Sequence, residues 1–327
     1  MQVLETAINF ATFEKQLAQI NENNFDEIAW ALWHFQATHN PVYNRYLSLL
    51  GVDIQSLTNW SDVPFLPIEC FKSLEIKTGH WPTQTVFRSS GTTQAQRSSH
   101  HLWDEQFYQH QTWQTFQGAG FTPPFHLIAF LPNYPPGHSL ATMVHYFMHR
   151  SGSAYSGFYH SEKDILKILN HLSSDSTPTL LWGVSFALMD LAAMGPFQFP
   201  NLKVLETGGM KGRRKEITRA ELHTYLRKGL GCGPILSEYG MAELCSQAYS
   251  LGEGIFTPAP TMKMLVKEVN DPFAQAKGTG VLNIIDLANF HSCAFIETRD
   301  LGRVVSEGFE ILGRVDNSEA RGCNLLA

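Results

Sequence analysis

The sequence predicts an α/β fold: a mixed sheet with flanking helices, followed by a smaller antiparallel β region. Three observations lead there. From Val86 onward, short apolar runs alternate with helical stretches, and Gly, Pro and Ser/Thr clusters separate them. After Ser250 the helices stop and strand follows strand, punctuated by Gly and Asn/Asp. The 327 residues, 43% of them hydrophobic, suffice for the core of one large domain or two ordinary ones.

The first 85 residues read as helical and aromatic-rich. Asn24 and Glu27 have the spacing of a capping pair, and Ile28, Leu32 and Phe35 then share one helical face. His39-Asn40-Pro41 ends that helix, and 43–50 forms another, closed by Gly51. Residues 127–131, 179–182 and 204–206 read as buried strands ending in turns. Helices fall at 161–172 and 218–228, the second with Thr218 and Glu221 in capping-box spacing and Gly229 beyond its end. The strand-rich part comprises 263–269, 281–286, 294–298, 303–306 and 309–312. The chain thus divides into a helical region (1–85), an α/β region (86–250), a β-rich region (251–312) and a tail (313–327).

Charge excludes some functions. With 24 Lys+Arg against 30 Asp+Glu the net charge is −6, which offers no surface for nucleic acid or anionic membrane. Five cysteines (Cys70, Cys232, Cys245, Cys293, Cys323) are odd in number, far apart and never in a CxxC pair. That speaks against a disulfide scaffold or a zinc cluster and for a reducing compartment. No signal peptide is visible at the N-terminus. The most apolar stretch, 180–194, contains Asp190 and is too short for a membrane span. The expected location is cytoplasmic.

Four short motifs carry chemistry. Arg88-Ser-Ser-Gly-Thr-Thr-Gln-Ala-Gln-Arg97 is a loop in which Gly91 lets the backbone approach a ligand. Its Ser89, Ser90, Thr92 and Thr93 offer donors to phosphate oxygens, and Arg97 adds a cation. It is not a Walker A loop, and alone it equally fits an ordinary turn. Ser237-Glu-Tyr-Gly-Met-Ala-Glu243 gives a stacking face at Tyr239, a close backbone approach at Gly240 and a carboxylate for Mg²⁺ at Glu243. A strand-to-helix turn with a solvated glutamate is the plain alternative. Glu297-Thr-Arg-Asp-Leu-Gly302 places Asp300 in a tight turn, able to accept from ribose hydroxyls. Gly313-Arg-Val-Asp316 repeats the pattern, with Arg314 for a phosphate.

In this order the four motifs resemble those of adenylate-forming enzymes, a superfamily that includes acyl-CoA synthetases, luciferases and peptide-synthetase adenylation domains. Thr207-Gly-Gly-Met-Lys211 matches its glycine-pair motif, bringing in Gly208, Gly209 and Lys211, and His138 falls where members carry an aromatic or histidine beside the acyl site. Asn40-Pro-Val-Tyr-Asn-Arg-Tyr46 and Val63-Pro-Phe-Leu-Pro67 resemble phenylacetate-CoA ligases and LuxE-type acyl-protein synthetases. The ending Gly313-Arg-Val-Asp-Asn-Ser-Glu-Ala-Arg-Gly-Cys-Asn324 resembles the LuxE type.

The resemblance implies the superfamily's large domain, with ATP and Mg²⁺ used to activate a fatty acid, and a thioester then formed on Cys323. It further implies an acyl-CoA-reductase-like or acyl-carrier partner. Superfamily members continue past the Gly-Arg-x-Asp hinge into a lid domain with a catalytic lysine. Here 15 residues follow Leu312, too few for a lid. Lys211 is the candidate substitute, beside the reading of a solvated lysine in a basic run. Two departures stand out: Gln94 and Arg97 replace the usual Gly-x-x-Lys pattern, and Ala242 replaces a Thr/Ser.

Other readings remain. Free CoA is an alternative acyl acceptor. Trp182-Gly-Val-Ser-Phe-Ala187 approximates a hydrolase nucleophile elbow at Ser185, with Asp286 and His291 following in triad order. His145 and His149 stand at i, i+4 but lack the HExxH glutamate. A non-catalytic nucleotide- or acyl-binding remnant is the third class.

Overall fold

Asn40 shows how the helical region is tied down. It separates α2 (Phe25–His39), which follows α1 (Phe10–Leu17), from α3 (Pro41–Leu49). Its Oδ1 accepts the Tyr43 N–H at 3.0 Å, and Pro41 occupies the first helical position, where no donor is needed. Its Nδ2 donates to the Ser292 carbonyl at 2.7 Å, so one side chain joins the helices to the β-rich part. Asn24 behaves otherwise. Its side chain accepts from the Asn21 N–H at 2.8 Å, in the preceding turn, so the expected pair with Glu27 does not cap α2.

The computed structural model describes residues 9–89, 97–208, 217–269 and 271–315. After α3 come β1 (Leu66–Pro67), α4 (Cys70–Ser73) and a hairpin of β2 (Thr85–Arg88) and β3 (Ser99–Leu102). The alternating part follows as α5 (Glu105–Gly118), β4 (His126–Phe130), α6 (Ser139–Arg150), β5 (Gly157–Phe158) and α7 (Glu162–Leu172). It continues with β6 (Thr179–Val184), α8 (Ser185–Ala192), β7 (Leu202–Thr207), α9 (Arg219–Leu230) and β8 (Ile235–Tyr239). The remainder is β9 (Ala248–Ser250), β10 (Ile255–Pro258), β11 (Met262–Glu268), β12 (Asp271–Gln275), β13 (Gly280–Asp286), β14 (Phe295–Val305) and β15 (Gly308–Arg314).

One sheet runs through the described residues in the order β12-β11-β13-β14-β15-β10-β9-β8-β7-β6-β4-β5, with β1 added beside β14. Strands β5, β4, β6, β7 and β8 are parallel, joined through helices as parallel pairing requires, while pairs from β8/β9 to β11/β12 are antiparallel. No helix among the described residues is long and apolar enough to cross a membrane.

The capping box on α9 forms as expected. The helix runs through Gly229, however, and ends at Gly231, whose φ of 57° supplies the left-handed C-cap. Gly229 serves packing instead. A Cβ there would lie 2.6 Å from the Ala192 carbonyl oxygen, so α8 and α9 touch backbone to backbone. The expected strands at 294–298 and 303–306 are one continuous strand, β14. Asp300 therefore lies inside a strand and not in a turn, and the turn falls at Ser306–Glu307. Gly302 serves a close approach, since a Cβ would sit 2.3 Å from the Glu310 carbonyl oxygen, at the register shift between β14 and β15.

Candidate functional site

The ends of β7 and β8 organise the site. They pair in parallel with Glu206 opposite Ser237 and Thr207 opposite Glu238. Side chains alternate along a strand, so the first pair faces α8 and α9 and the second faces α5 and α6.

On the α8/α9 face, buried Glu206 accepts from Ser185 Oγ at 2.9 Å and Ser237 Oγ at 2.6 Å. Arg219 Nε stands 3.5 Å and His223 Nε2 3.6 Å from its Oε1. Burial pushes this carboxyl up, but His223, Arg219 and Ser237 together hold it below the usual range.

The opposite face is different. The Thr207 hydroxyl donates to Glu238 in a short contact. Burial, reinforced by the charge of Glu206 and opposed by Thr207, raises the Glu238 carboxyl to about 7. Tyr134 lies within reach of that charge, and burial with Glu238 lifts its phenol to about 12. His138 stacks on Tyr134 with ring centroids 3.6 Å apart and planes 15° apart. It sits at the head of α6, after Gly137, whose φ of 80° lets its carbonyl accept from the Arg88 N–H at 2.9 Å.

Tyr239 and Asp300 meet although they belong to distant strands. Four inter-strand steps of about 4.8 Å would separate β8 from β14 by about 19 Å in a flat sheet. Yet Tyr239 Oη donates to Asp300 Oδ2 at 2.9 Å, so the sheet curls back on itself. The Tyr239 ring packs edge-on against Phe256 and Phe309. Arg314, opposite Asp300 in the ladder, places Nε 3.3 Å from Asp300 Oδ1 while its side chain stays 72% exposed. Burial raises the Asp300 carboxyl, with Arg314 and Tyr239 opposing.

Glu243 is buried beyond the end of β8. Burial lifts its carboxyl, and the Ser98 hydroxyl, Arg314 and Lys72 pull it back. Its backbone is held from behind: Asn289 Nδ2 donates to the Glu243 carbonyl at 2.8 Å, while the N–H groups of Cys245 and Ser246 both donate to Asp286 Oδ2 at 2.9 Å. Ser89 and Ser98 clasp the base of the hydroxyl-rich loop, the Ser98 N–H donating to Ser89 Oγ at 3.0 Å and the Ser89 N–H to the Ser98 carbonyl at 3.1 Å. Arg97 is exposed just inside that clasp. Gly208, with φ of 71°, accepts from Ser185 Oγ at 2.6 Å, and Gly240 lies tight against the Glu238 carboxyl.

Ser90, Gly91, Thr92, Thr93, Gly209, Lys211 and Cys323 lie outside the described residues. Of the residues that are described, Tyr239, Asp300 and Arg314 come together, with Glu243 within reach of Arg314's charge. The Ser185, Asp286 and His291 set does not assemble: Ser185 is spent on Glu206 and Gly208, and Asp286 on Cys245, Ser246 and Ala288. His145 and His149 contact each other at 3.3 Å on the exposed face of α6. Sequence reasoning missed Glu206, Glu238 and Asn289. Only the Ser-Glu-Tyr run at a strand end hinted at Glu238.

No protein-family model and no curated protein sequence matches the chain. Solved structures do. 2-Hydroxyisobutyryl-CoA ligase, in complex with 2-HIB-AMP and CoA in the thioesterification state, superposes with a TM-score of 0.69 at 13% identity, over 90% of this chain and 69% of that one. The fold is that of the adenylate-forming acyl-CoA ligases. O-Succinylbenzoate coenzyme A synthetase from Bacillus subtilis, in complex with AMP, gives 0.51 at 19% identity, over 71% of this chain and 50% of that one. The same synthetase with ATP and magnesium ion gives 0.50 at 19% identity, over 74% and 52%. At these identities the shared property is the fold.

Proposed function

We propose that the chain activates a carboxylic acid with ATP to give an acyl-adenylate, then passes the acyl group to a thiol. The observation that carries this is the Tyr239–Asp300–Arg314 cluster, drawn from both halves of the curled sheet, with buried Glu243 beside it.

In this reading Asp300 accepts from the ribose hydroxyls. Its desolvated carboxylate takes Tyr239 at one oxygen and Arg314 at the other, and the remaining lone pairs could accept from two hydroxyl donors. Tyr239 fixes Asp300 and, with Gly240, borders the adenine. Arg314 turns its exposed guanidinium to a phosphate, while Ser89, Ser90, Gly91, Thr92, Thr93 and Arg97 surround the departing pyrophosphate. Gly208 and Gly209 close the adenine side. Glu243 fits a divalent cation, because a buried carboxylate lifted by desolvation gains most from a positive charge. Mg²⁺, when bound, neutralises charge on the triphosphate.

The substrate carboxylate oxygen attacks the α-phosphorus, and the bond to pyrophosphate breaks. The chain's residues act through positioning and charge, as phosphoryl-type transfer demands. His138 and Tyr134 line the acyl side, and Lys211 offers a cation to the α-phosphate. A thiolate then attacks the acyl carbonyl carbon, the bond to AMP breaks, and AMP leaves. We assign that thiol to Cys323, with Arg321 two residues away in the sequence to favour the thiolate, making this a LuxE-type acyl-protein synthetase for fatty acids. The acyl group would go on to an acyl-CoA-reductase-like or acyl-carrier partner. Free CoA as acceptor is the second reading, because the ligase of the same fold was crystallised with CoA.

Radiolabelled fatty acid with ATP and Mg²⁺, applied to wild type and Cys323→Ala, tests this. Covalent label on wild type alone supports the Cys323 thioester. Label on both refutes it, and label on neither with CoA-dependent turnover selects the second reading. Failure of pyrophosphate exchange with every acid overturns adenylation itself.

A further inference from the structure

We propose that His100, Cys245 and His291 form a structural zinc site directly behind Glu243. The three residues come from β3, from the segment after β8 and from the segment before β14, so no sequence spacing announces them. Their donor atoms lie within 4.8 Å of one another, and all three residues are buried. Two imidazoles and a thiolate are donors that zinc prefers, and closed zinc sites of this kind add directly to folding energy.

The second observation is His291. Among the described residues, neither of its ring nitrogens has a hydrogen-bond partner, although the residue is only 1% exposed. A buried polar group left unpaired costs about 1–3 kcal/mol, and buried groups in folded proteins are almost always satisfied. A metal ion satisfies the imidazole lone pair.

His100 already has the tautomer a ligand needs. Its Nδ1 faces the Ala242 carbonyl at 3.0 Å, and a carbonyl only accepts, so Nδ1 carries the hydrogen and Nε2 the lone pair. Carbonyl support of this kind orients metal-bound histidines. The Nε2 lone pair accepts from the Ser292 hydroxyl at 2.8 Å, a hydrogen bond that zinc would replace, with the Ser292 oxygen beside it for a fourth position. The two imidazole planes lie 5° apart with centroids at 5.6 Å. Zinc bonds of about 2.0–2.3 Å set tetrahedral nitrogen and sulfur neighbours roughly 3.3–3.6 Å apart, so donor atoms within 4.8 Å of one another close by up to about 1.5 Å. On binding, the Cys245 thiol gives up its proton to solvent as the sulfur–zinc bond forms.

Such a site would pin Ala242 and Cys245, the residues on either side of Glu243-Leu244, against the hairpin and the β-rich part. Enclosed on all sides, the ion enters while the chain folds and leaves only when it unfolds. The test uses full-length protein expressed with added zinc. Elemental analysis after native dialysis against a chelator should find stoichiometric zinc, released by guanidinium chloride. Refolding with Co²⁺ should produce a thiolate-to-cobalt charge-transfer band, readable on wild type whether or not variants fold. Cys245→Ala should lose both the zinc and the band, whereas His145→Ala, at the exposed histidine pair, should keep both. Wild type without zinc and without the band, or Cys245→Ala with undiminished zinc, overturns the site.

Discussion

Replacing Glu238 with Gln should make the protein more stable, and only above mildly acidic pH. The carboxyl titrates at about 7 in the fold, against 4.5 for an unperturbed glutamate. Between those values the unfolded chain has released a proton that the folded chain keeps. Stability present below pH 4.5 is therefore lost progressively as pH rises to about 7, and then stays level. The gap corresponds to about 3 kcal/mol at full ionisation. Glutamine has nearly the same shape, cannot ionise, and still offers an oxygen to the Thr207 hydroxyl. Guanidinium chloride unfolding of wild type and Glu238→Gln, followed from pH 4.5 to 8, reads the effect. The stability of the variant relative to wild type should rise by about 2–3 kcal/mol across that range and flatten near pH 7. A difference that is constant from pH 4.5 to 8 would refute the account of Glu238 as a buried, displaced carboxyl.

Three further outcomes follow from the geometry. Asp300→Asn should raise KM for ATP in pyrophosphate exchange by about 10- to 100-fold, the worth of a charged hydrogen bond, with kcat changed less; an unchanged KM removes Asp300 from the nucleotide site. Glu243→Gln should lower kcat by about 100- to 1000-fold and shift the Mg²⁺ titration to higher concentration. A fall in kcat with the same Mg²⁺ dependence would deny it the metal role. Gly229→Ala should destabilise by about 1–3 kcal/mol through the clash with Ala192, whereas Gly313→Ala, with open space around it, should change stability by less than about 0.5 kcal/mol. Thermal melts compare the two, and equal melting temperatures would contradict the tight α8/α9 approach.

What could be read from sequence was what local chemistry decides. The Thr218–Glu221 cap and the helix break at Asn40 need only neighbouring residues, and both form. The expected helix end at Gly229 fails because that glycine serves packing, while Gly231 supplies the positive φ. Leu301-Gly302 reads as a turn, yet Gly302 is there because β15 passes too close for a side chain. Tyr239, Asp300 and Arg314 were each visible as motif members. Their contact was not, because it depends on the curl of the sheet. Glu206 and Glu238 were hidden for a related reason. Each sits in a buried strand, and its partners come from elements 13 or more residues away. Ser185 shows the reverse: its flanking residues suggest a nucleophile, but Glu206 and Gly208 turn it into a strut.

The curl that joins Tyr239 to Asp300 also bears on how the molecule comes apart. One residue belongs to the parallel strands and the other to the antiparallel ones, and Arg219 adds a second link by reaching from Glu206 to the Phe256 ring, 4.8 Å from its centroid. A ligand held at that seam grips both halves at once, so its binding free energy opposes the loss of either. Nucleotide should then merge any separate melting of the two halves into one cooperative transition, and slow hydrogen exchange in β14 and β15 as much as in β7 and β8.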